Sequence, residues 1–315
     1  MNPEDKPSFG YLQTFSPKNW KEYELIDSGN FEKLERFGSM ITARPEPQAV
    51  WDKSLSNEEW NKRASASFKP TKEKGSEQLI DKGEWFTKKD TTEKWWVNYS
   101  HKNLNLKCKA SLSAFKHVGI FPEQAANWDF IAEKTSKISS KLLQTSQKPK
   151  VLNLFAYTGL ASVAARQTGA DVTHVDSIKQ VVSWAKENME ASGVDNIRWI
   201  VEDAMKFVKR EVRRGAIYQG IMLDPPAYGR GADGEIWKLE QHINEMIKLC
   251  SQLLDKENNF FILNMYSMGL SPMIAENLVR SSFASPQNLQ CGELHLTDSF
   301  GKKLPLGSIC RFSSC

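Results

Sequence analysis

The chain of 315 residues is long enough for two domains, or for one large domain with an extension. Hydrophobic residues make up 40% of it, which is enough for a core, and no window approaches about eighteen uninterrupted apolar residues, so we expect no membrane span. The net charge of +4 and the pI of about 8.6 permit a nucleic-acid partner without arguing for one.

The N-terminus carries acidic residues and proline and has no apolar core segment, so we expect no signal peptide. Five cysteines without a CxxC pair predict neither a disulfide framework nor a zinc site. Because none of the five histidines has ligand spacing either, no metal is expected. A reducing cytoplasm is the expected compartment.

The first part of the chain predicts a small, mostly β domain. Residues 1–20 are polar and poorly patterned, and we interpret them as a loose arm. Residues 21–120 contain short β-like runs, among them YELID, MITAR and WWVNY. Within them, residues 54–78 are rich in Ser, Lys and Glu and predict a mobile excursion. Tryptophans interleaved with lysines in this domain could stack on bases, although such aromatics more often pack in a core.

Residues 121–315 predict a second domain of the α/β class. Short apolar runs such as VLNLF, DVTHVD and YQGIMLD alternate with amphipathic helical segments. This alternation indicates βαβ units, a mostly parallel sheet and helices on both faces. The last two runs, LQCGELHL and SICRFSS, have no helix between them and predict an antiparallel hairpin at the edge of the sheet.

In a doubly wound sheet, ligands bind outside the carboxyl ends of the strands. The first predicted strand ends in the loop Phe155-Ala156-Tyr157-Thr158-Gly159, where Gly159 allows a tight turn into a helix and a close approach of a ligand to the backbone. The loop has one glycine and is therefore not the GxGxxG fingerprint of dinucleotide-binding proteins. We expect a ligand without phosphates.

Acidic residues follow the next two strands. The carboxylate of Asp176, which precedes Ser177, could accept hydrogen bonds from both ribose hydroxyls of a nucleoside, or it could cap the following helix. After the third strand, Glu202-Asp203-Ala204 could offer an acceptor to an adenine amino group, and Asp203 is also a good N-cap.

The fourth strand ends in Asp224-Pro225-Pro226-Ala227-Tyr228. Two prolines fix the backbone and leave a rigid loop with exposed carbonyls. An aspartate with such carbonyls could hold an amino group or a base edge, and the alternative is a turn that the prolines only stiffen. Tyr228 could stack on a flipped base, or it could pack on the core.

These segments resemble the class I S-adenosylmethionine-dependent methyltransferases related to the large-subunit ribosomal RNA methyltransferases. The resemblance covers roughly the last two hundred residues, and it rests on four segments: HVGIFPEQAANWDFI (117–131), NLFAYTGLASVAA (153–165), THVDSIKQVVSWAKEN (173–188) and MLDPPAYGRG (222–231). ELIDSGNFEKLERFG (24–38) and RPEPQAVW (44–51) resemble the small β domain of one branch of that family.

The resemblance implies a Rossmann-like class I methyltransferase fold and S-adenosylmethionine as cofactor. It implies a cofactor site built from Gln124, Asn153, Phe155, Tyr157, Thr158, Gly159, Asp176, Ser177, Asp203 and Ala204. It implies that Asp224 lies between cofactor and substrate. With the other residues of its loop, Pro225, Pro226 and Tyr228, it forms the predicted catalytic set, and Asn264, Tyr266 and Ser267 at the end of the fifth strand are further candidates that face the substrate.

The chain departs from this family in two ways. Two arginines that relatives place after the equivalent of Gln124 are Ala125 and Trp128 here, and this loss of cations argues against an RNA substrate. The loops after the fourth and fifth strands contain no cysteine, whereas methylation of cytosine carbon 5 needs a thiolate nucleophile.

We therefore predict direct in-line methyl transfer to a nitrogen of an RNA base, in ribosomal RNA. The alternatives are a methyltransferase for a small molecule or a protein, and a non-catalytic cofactor-binding factor that helps to assemble RNA.

Overall fold

The computed structural model describes residues 13–18, 20–71, 82–143, 146–231, 234–266 and 269–315. Its largest sheet has eight strands, which stand in the order β1-β16-β17-β15-β12-β9-β10-β11. These strands are β1 (Gln13–Phe15), β9 (Lys150–Leu154), β10 (Asp171–Asp176), β11 (Ile197–Val201), β12 (Gly220–Leu223), β15 (Phe260–Met265), β16 (Gln290–Thr297) and β17 (Lys303–Ser313).

Five neighbouring strands of this sheet, from β15 to β11, run parallel. Strand β17 runs antiparallel to both β15 and β16 and closes the sheet as a hairpin strand. The chain winds outward from β9 in both directions, so β9 and β12 flank the switch point. The predicted doubly wound sheet with an antiparallel closing hairpin is confirmed.

Helices cover both faces of this sheet. They are α2 (Ala125–Leu142), α3 (Leu160–Gln167), α4 (Lys179–Ala191), α5 (Ala204–Arg213), α6 (Leu239–Leu253) and α7 (Pro272–Ser282). Alternate strand residues enter opposite cores because side chains of a strand alternate between its faces. Val151 packs in a core with residues of α2 and α3, whereas its neighbour Leu152 packs with residues of α5, α6 and α7.

The N-terminal residues form a second, five-stranded sheet, as the predicted small β domain requires. Its strands stand in chain order: β2 (Tyr23–Gly29), β3 (Glu32–Phe37), β4 (Met40–Pro45), β5 (Ala66–Pro70) and β6 (Gly83–Thr87). A separate antiparallel hairpin follows, with strands β7 (Lys94–His101) and β8 (Leu104–Ser111). A smaller hairpin, β13 (Tyr228–Arg230) with β14 (Ile236–Lys238), follows the Asp224 loop.

The N-terminal strands and the large sheet share one core. The ring centroid of Trp20 lies 5.1 Å from that of Tyr99 in β7 and 5.6 Å from that of Trp128 in α2. All three side chains are buried. These three aromatics pack in the core, whereas Trp96, in the predicted run of tryptophans and lysines, is 39% exposed. The division of the chain at residue 120 stays a prediction.

Two predicted mobile segments are regular structure where the structure describes them. Within the expected arm, residues 13–15 form β1, which pairs in parallel with β16. Within the expected excursion, Asn57–Arg63 form helix α1 and Ala66–Pro70 form β5, while residues 72–78 lie outside the described residues. The prediction from composition was wrong here because one apolar residue is enough to anchor the segment. Trp60 of α1 is buried with 3% exposure and packs in the core of the N-terminal sheet.

Asp27 of β2 holds the same segment through hydrogen bonds. Its carboxylate, which is 0% exposed, accepts hydrogen bonds from the backbone N–H groups of Ser54 and Leu55 and from the indole of Trp60. Lys302, in the loop between β16 and β17, donates to the same carboxylate over 2.8 Å. The closing hairpin thus holds the N-terminal sheet.

The cysteine prediction needs one correction. Cys291 and Cys310 oppose each other in the register of β16 and β17 and form a disulfide, whereas the sequence predicted none. Strand register decides this pairing, and the spacing of cysteines along the chain does not reveal it. Among the described residues, no helix is long and apolar enough to cross a membrane.

Candidate active site at the switch point

A cleft opens at the carboxyl ends of β9 and β12, where the topology predicts a ligand. The loop after β9, the start of α2, and the ends of β12 and β15 form its walls. Its lining includes Phe121, Gln124, Asn127, Asn153, Phe155, Tyr157, Thr158, Gly159, Asp224 and Asn264. Six of the ten predicted cofactor residues and the predicted Asp224 therefore meet in one cleft.

The loop after β9 has an unusual backbone. Phe155, Tyr157 and Gly159 have φ values of 54°, 49° and 80°, in the left-handed region that residues other than glycine rarely adopt. At Gly159 a side chain is also excluded, because a Cβ would lie 2.8 Å from the Cβ of Ala185. Such strain is typical of functional sites and persists only where surrounding contacts enforce it.

Several hydrogen bonds enforce this conformation. The Tyr157 N–H donates to Asp176 Oδ2 over 2.9 Å, and the Thr158 hydroxyl donates to the Gly119 carbonyl over 2.8 Å. The amide of Asn188 in α4 donates to the Thr158 carbonyl over 2.9 Å. The loop is thus held from two sides by other residues of the chain.

Asp176 joins the ends of β9 and β10. Besides Tyr157, the backbone N–H of Ile178 donates to its other carboxylate oxygen over 3.0 Å. Burial raises the pKa of Asp176, and the two backbone hydrogen bonds partly oppose that rise. Helix α4 begins only at Lys179, so Asp176 is not its N-cap. Ile178 leaves an apolar side chain 50% exposed beside this carboxylate, a feature that the sequence prediction missed.

The acidic residues after β11 make local structural contacts. Asp203 caps α5, since its carboxylate accepts the Lys206 N–H over 2.9 Å. Glu202 pairs with Arg210 at 2.5 Å. Neither residue lines the cleft, and neither do Asp176, Ser177 and Ala204. Their role at an adenosine stays a prediction.

Asp224 stands at the end of β12 and faces the cleft. Gln124 Nε2 donates to its Oδ2 over 3.0 Å, and burial raises the pKa of Asp224 to about 7. The carbonyl of Pro226 is not free, because it accepts the indole N–H of Trp237 over 2.8 Å. Pro225 is buried. The predicted row of exposed carbonyls is therefore wrong for Pro226.

Tyr228 begins β13 and projects to the surface, 51% exposed. Its hydroxyl accepts a hydrogen bond from Arg230 Nε over 2.9 Å. Of the two interpretations of this ring, packing in the core is wrong, and an accessible aromatic face is what the structure shows.

An amide cluster underlies the Asp224 contact. Gln124 Oε1 accepts from Asn127 Nδ2 over 2.8 Å and from Asn264 Nδ2 over 3.1 Å. Asn127 and Asn264 are buried. Asn264 was a candidate from the sequence, whereas Asn127 was missed because a polar residue inside an amphipathic helix carries no distinctive signal. Ser267 lies outside the described residues.

Buried charges from the N-terminal sheet lie close by. Arg44 Nε contacts Glu35 Oε2 at 2.6 Å, and Lys33 Nζ contacts Glu46 Oε2 at 3.1 Å. Tyr266, at the end of β15, donates to Glu46 Oε1 over 3.2 Å. The sequence prediction missed this cluster because it depends on contact between two sheets.

Glu123, beside Gln124, is 4% exposed, and burial raises its pKa to about 7. Lys33 opposes that rise, whereas Asp224 and Glu35 add to it. Ala125 and Trp128, which replace the family's arginines, are buried in the core. Trp128 nevertheless lines the cleft, whereas Ala125 does not, so the missing charge bears on the cleft at one of the two positions.

The cleft and the Asp176 carboxylate beside its loop suit S-adenosylmethionine. Asp176 keeps acceptor capacity for a ribose diol, because each oxygen takes one of about two possible hydrogen bonds. The strained loop without a phosphate cradle suits a ligand without phosphates. Among the described residues, no group of three or more His, Cys, Asp or Glu side chains could hold a metal ion.

Comparison with known proteins agrees with this geometry. The chain is 33% identical to a solved S-adenosylmethionine-dependent methyltransferase from Agrobacterium tumefaciens, with a TM-score of 0.85 over 97% of this chain and 95% of that one. A second structure, SMU.776 in complex with S-adenosylhomocysteine, has a TM-score of 0.67 at 16% identity, over 93% of this chain and 76% of that one. At that identity it shows the fold alone. No family model matches the chain.

The chain belongs to the S-adenosylmethionine-dependent methyltransferases. The predicted enzyme class, methyl transfer, and the predicted cofactor, S-adenosylmethionine, are confirmed. Among curated proteins it is 29% identical over 163 residues to the ribosomal RNA large subunit methyltransferase K/L of Shewanella frigidimarina. That match covers 50% of this chain and 21% of the relative, so the chain spans about a fifth of the relative's length.

Proposed function

We propose that this enzyme transfers a methyl group to a nitrogen of an RNA base, in ribosomal RNA. The observation that carries the proposal is the placement of Asp224, an acceptor at the end of β12 that faces the cleft beside the strained loop. Named relatives that methylate large-subunit ribosomal RNA support the choice of substrate. A cytoplasmic location fits that substrate.

The cofactor lies along the carboxyl ends of β9 and β10 in this proposal. Asp176 accepts hydrogen bonds from the ribose hydroxyls, and the exposed Ile178 packs on the adenine. The backbone of the loop between Phe155 and Gly159 holds the methionine part, together with Asn153. Asp203 and Ala204, at the start of α5, border the adenine edge.

When bound, S-adenosylmethionine supplies a methyl group on a sulfonium, which is already activated as a leaving group. The residues of this chain have three remaining tasks. They align the nucleophile, exclude water and accept a hydrogen bond from the N–H of the nucleophile. Alignment alone can be worth roughly 7–11 kcal/mol. Asp224 accepts a hydrogen bond from the N–H of the base and holds its nitrogen lone pair in line with the methyl group. As the N–C bond forms and the S–C bond breaks, the nitrogen gives up this proton to Asp224, whose pKa burial raises to about 7. Tyr228, whose exposed ring begins β13 four residues after Asp224, stacks on the extruded base.

The cysteines support nitrogen over carbon as the acceptor. Burial raises the pKa of the Cys108 and Cys250 thiols well above their usual range, which keeps them protonated and unreactive. Cys291 and Cys310 are joined to each other, and Cys315 lies at the terminus beside Ser313. None of the five lines the cleft.

The experiment is nucleoside mass spectrometry on RNA from a strain without the gene, followed by methylation of that RNA with the purified enzyme. We expect one methylated nucleoside to be missing, and the enzyme to restore it as an N-methyl base. Restoration of a C-methylated base, or a covalent adduct with RNA that contains 5-fluorocytidine, would contradict nitrogen transfer.

An unchanged nucleoside profile would contradict the RNA substrate. Transfer of label from the cofactor to proteins or small metabolites in the same extract would then identify a methyltransferase of another substrate class. Cofactor binding without transfer to any fraction would identify an assembly factor.

A further inference from the structure

A buried arginine in the closing hairpin reaches towards the cleft. Arg311 of β17 donates from Nη1 to the Ala126 carbonyl over 3.1 Å and to Asn127 Oδ1 over 3.2 Å. Its guanidinium carbon lies 4.6 Å from the ring centroid of Phe15 and 4.4 Å from that of Phe130. Burial lowers the pKa of Arg311 to about 10, so it remains charged at neutral pH. The guanidinium is therefore fixed between two rings as a donor.

This donor sets the direction of every amide that follows. A guanidinium has no acceptor, so the Asn127 atom that it contacts is the carbonyl oxygen. Asn127 must then turn its NH₂ group to Gln124 Oε1 and Asn264 Oδ1, at 2.8 and 3.2 Å. With its oxygen engaged by two donors, Gln124 must turn its own NH₂ group to Asp224.

We propose that Arg311 is a positioning residue that acts through Asn127 and Gln124 to present an N–H donor to Asp224. The donor fixes the rotation of the carboxylate and leaves Asp224 Oδ1 for the nucleophile. The inference rests on the proposed function of Asp224. Without Arg311, the amides of Asn127 and Gln124 are free to invert, and inversion would point a carbonyl oxygen at the carboxylate.

The pKa of Asp224 measures directly whether Gln124 donates to its carboxylate, and it can be measured in the free protein without substrate or cofactor. The charged groups packed near Asp224 are Glu123 of the turn before α2 and, around Glu123, Lys33 and Glu35 of β3. They stay unchanged in every variant below. A donor to a carboxylate stabilises its charged form, so loss of the donor must raise the pKa of Asp224.

The experiment is a titration of the free protein labelled at the aspartate carboxyl carbons, followed by NMR, with Asp224→Asn to assign the signal. We expect Gln124→Met, which removes the donor, to raise the pKa of Asp224 by about 1–2 units. Asn127→Asp keeps a partner for Arg311 but cannot donate to Gln124. The amides of Gln124 and Asn264 then invert, and the pKa of Asp224 rises by at least about one unit.

Two further variants sharpen the test. Arg311→Lys keeps a cationic donor and is expected to retain the wild-type pKa of Asp224, as a rescue of the arginine. Asn259→Asp is the matched control: Asn259 is also buried, and its amide donates to the Asp255 carbonyl over 2.7 Å at the opposite end of β15. It adds the same charge away from the cleft and is expected to leave the titration of Asp224 unchanged.

The proposal is overturned if Asn127→Asp folds and leaves the pKa of Asp224 where it was. If that variant does not fold, Arg311→Met decides: it removes the donor that directs the Asn127 amide, and a pKa of Asp224 equal to that of the wild type would overturn the proposal. An unshifted titration together with an inactive Asp224→Ala enzyme would reject the relay and keep the proposed function. A shifted titration with a fully active Asp224→Ala enzyme would reject the function and keep the relay.

Discussion

Asp27 and Asp224 are two carboxylates in tight surroundings with opposite acidities. Burial would raise the pKa of Asp27, but hydrogen bonds from Lys302, Leu55, Trp60 and Ser54 outweigh it and hold that pKa below its usual value. Among the described residues, Asp224 has one side-chain donor, Gln124, and burial raises its pKa to about 7. The comparison teaches that the number of donors, more than depth, decides whether a carboxylate stabilises the fold or stays available for chemistry.

The largest effect is expected for Asp27, the carboxylate that stabilises the fold. Asp27→Ala should lower the free energy of unfolding by about 3–5 kcal/mol, because it removes the nearer of the two buried carboxylates that pair with Lys302 and leaves several N–H groups without acceptors. Urea unfolding measures it. The matched control is Asp195→Ala, whose 80% exposed carboxylate pairs with Arg166 and whose loss should cost less than about 1 kcal/mol. Equal losses in the two variants would contradict the role given to Asp27.

At the other end, Asp224→Ala should reduce turnover about 10²–10³-fold, as expected when one preorganised polar contact to the reacting group is removed. The affinity for S-adenosylhomocysteine should fall much less, because the side chain faces the nucleophile. Turnover on RNA and calorimetry with S-adenosylhomocysteine separate the two. Asp171→Ala, at the exposed start of β10, should change neither quantity. A variant that loses cofactor affinity in step with turnover would assign Asp224 to the cofactor.

Asp176 lies between these extremes, with two backbone donors. Asp176→Ala should weaken S-adenosylhomocysteine binding by about 1.5–3 kcal/mol, the range for hydrogen bonds to a charged group. The 2′-deoxy analogue distinguishes recognition of the ribose from support of the loop. In a double-mutant cycle, the wild-type enzyme should discriminate against the analogue, and the variant should not. Equal discrimination by both would limit Asp176 to holding Tyr157.

The smallest effect is on how the stability of the protein changes with pH, and it concerns Asp224. Folding raises the pKa of the Asp224 carboxyl, so its ionisation destabilises the folded state. This destabilisation grows as the pH rises from the unfolded pKa near 3.8 to the folded pKa of about 7, and it is constant above that. Asp224→Asn should therefore raise Tm by a few degrees at pH 8 and leave it unchanged near pH 4. For Asp27 the sign is reversed, because its contribution is present above the unfolded pKa and is lost as pH falls below it. A stabilisation of Asp224→Asn that is equal at both pH values would contradict this assignment.

The sequence predicted those parts of the site that depend on strand ends. Loops that follow buried runs meet at one edge of a parallel sheet, so the loop after β9 and Asp224 could be placed from local pattern alone. Arg311, Asn127 and the partners of Asp27 could not, because each contact joins residues far apart in the chain: 184 positions separate Arg311 from Asn127, and 275 separate Lys302 from Asp27. Nothing local in hairpin or helix residues reveals such pairings.

The bond between Asp27 and Lys302 also orders events during synthesis. Lys302 is made 275 residues after Asp27. At about 5–20 residues per second, this interval lasts roughly 14–55 s. For that time the nascent N-terminal sheet has its central carboxylate without its lysine. The lysine arrives with the hairpin of β16 and β17, so this hairpin completes the N-terminal sheet as well as its own.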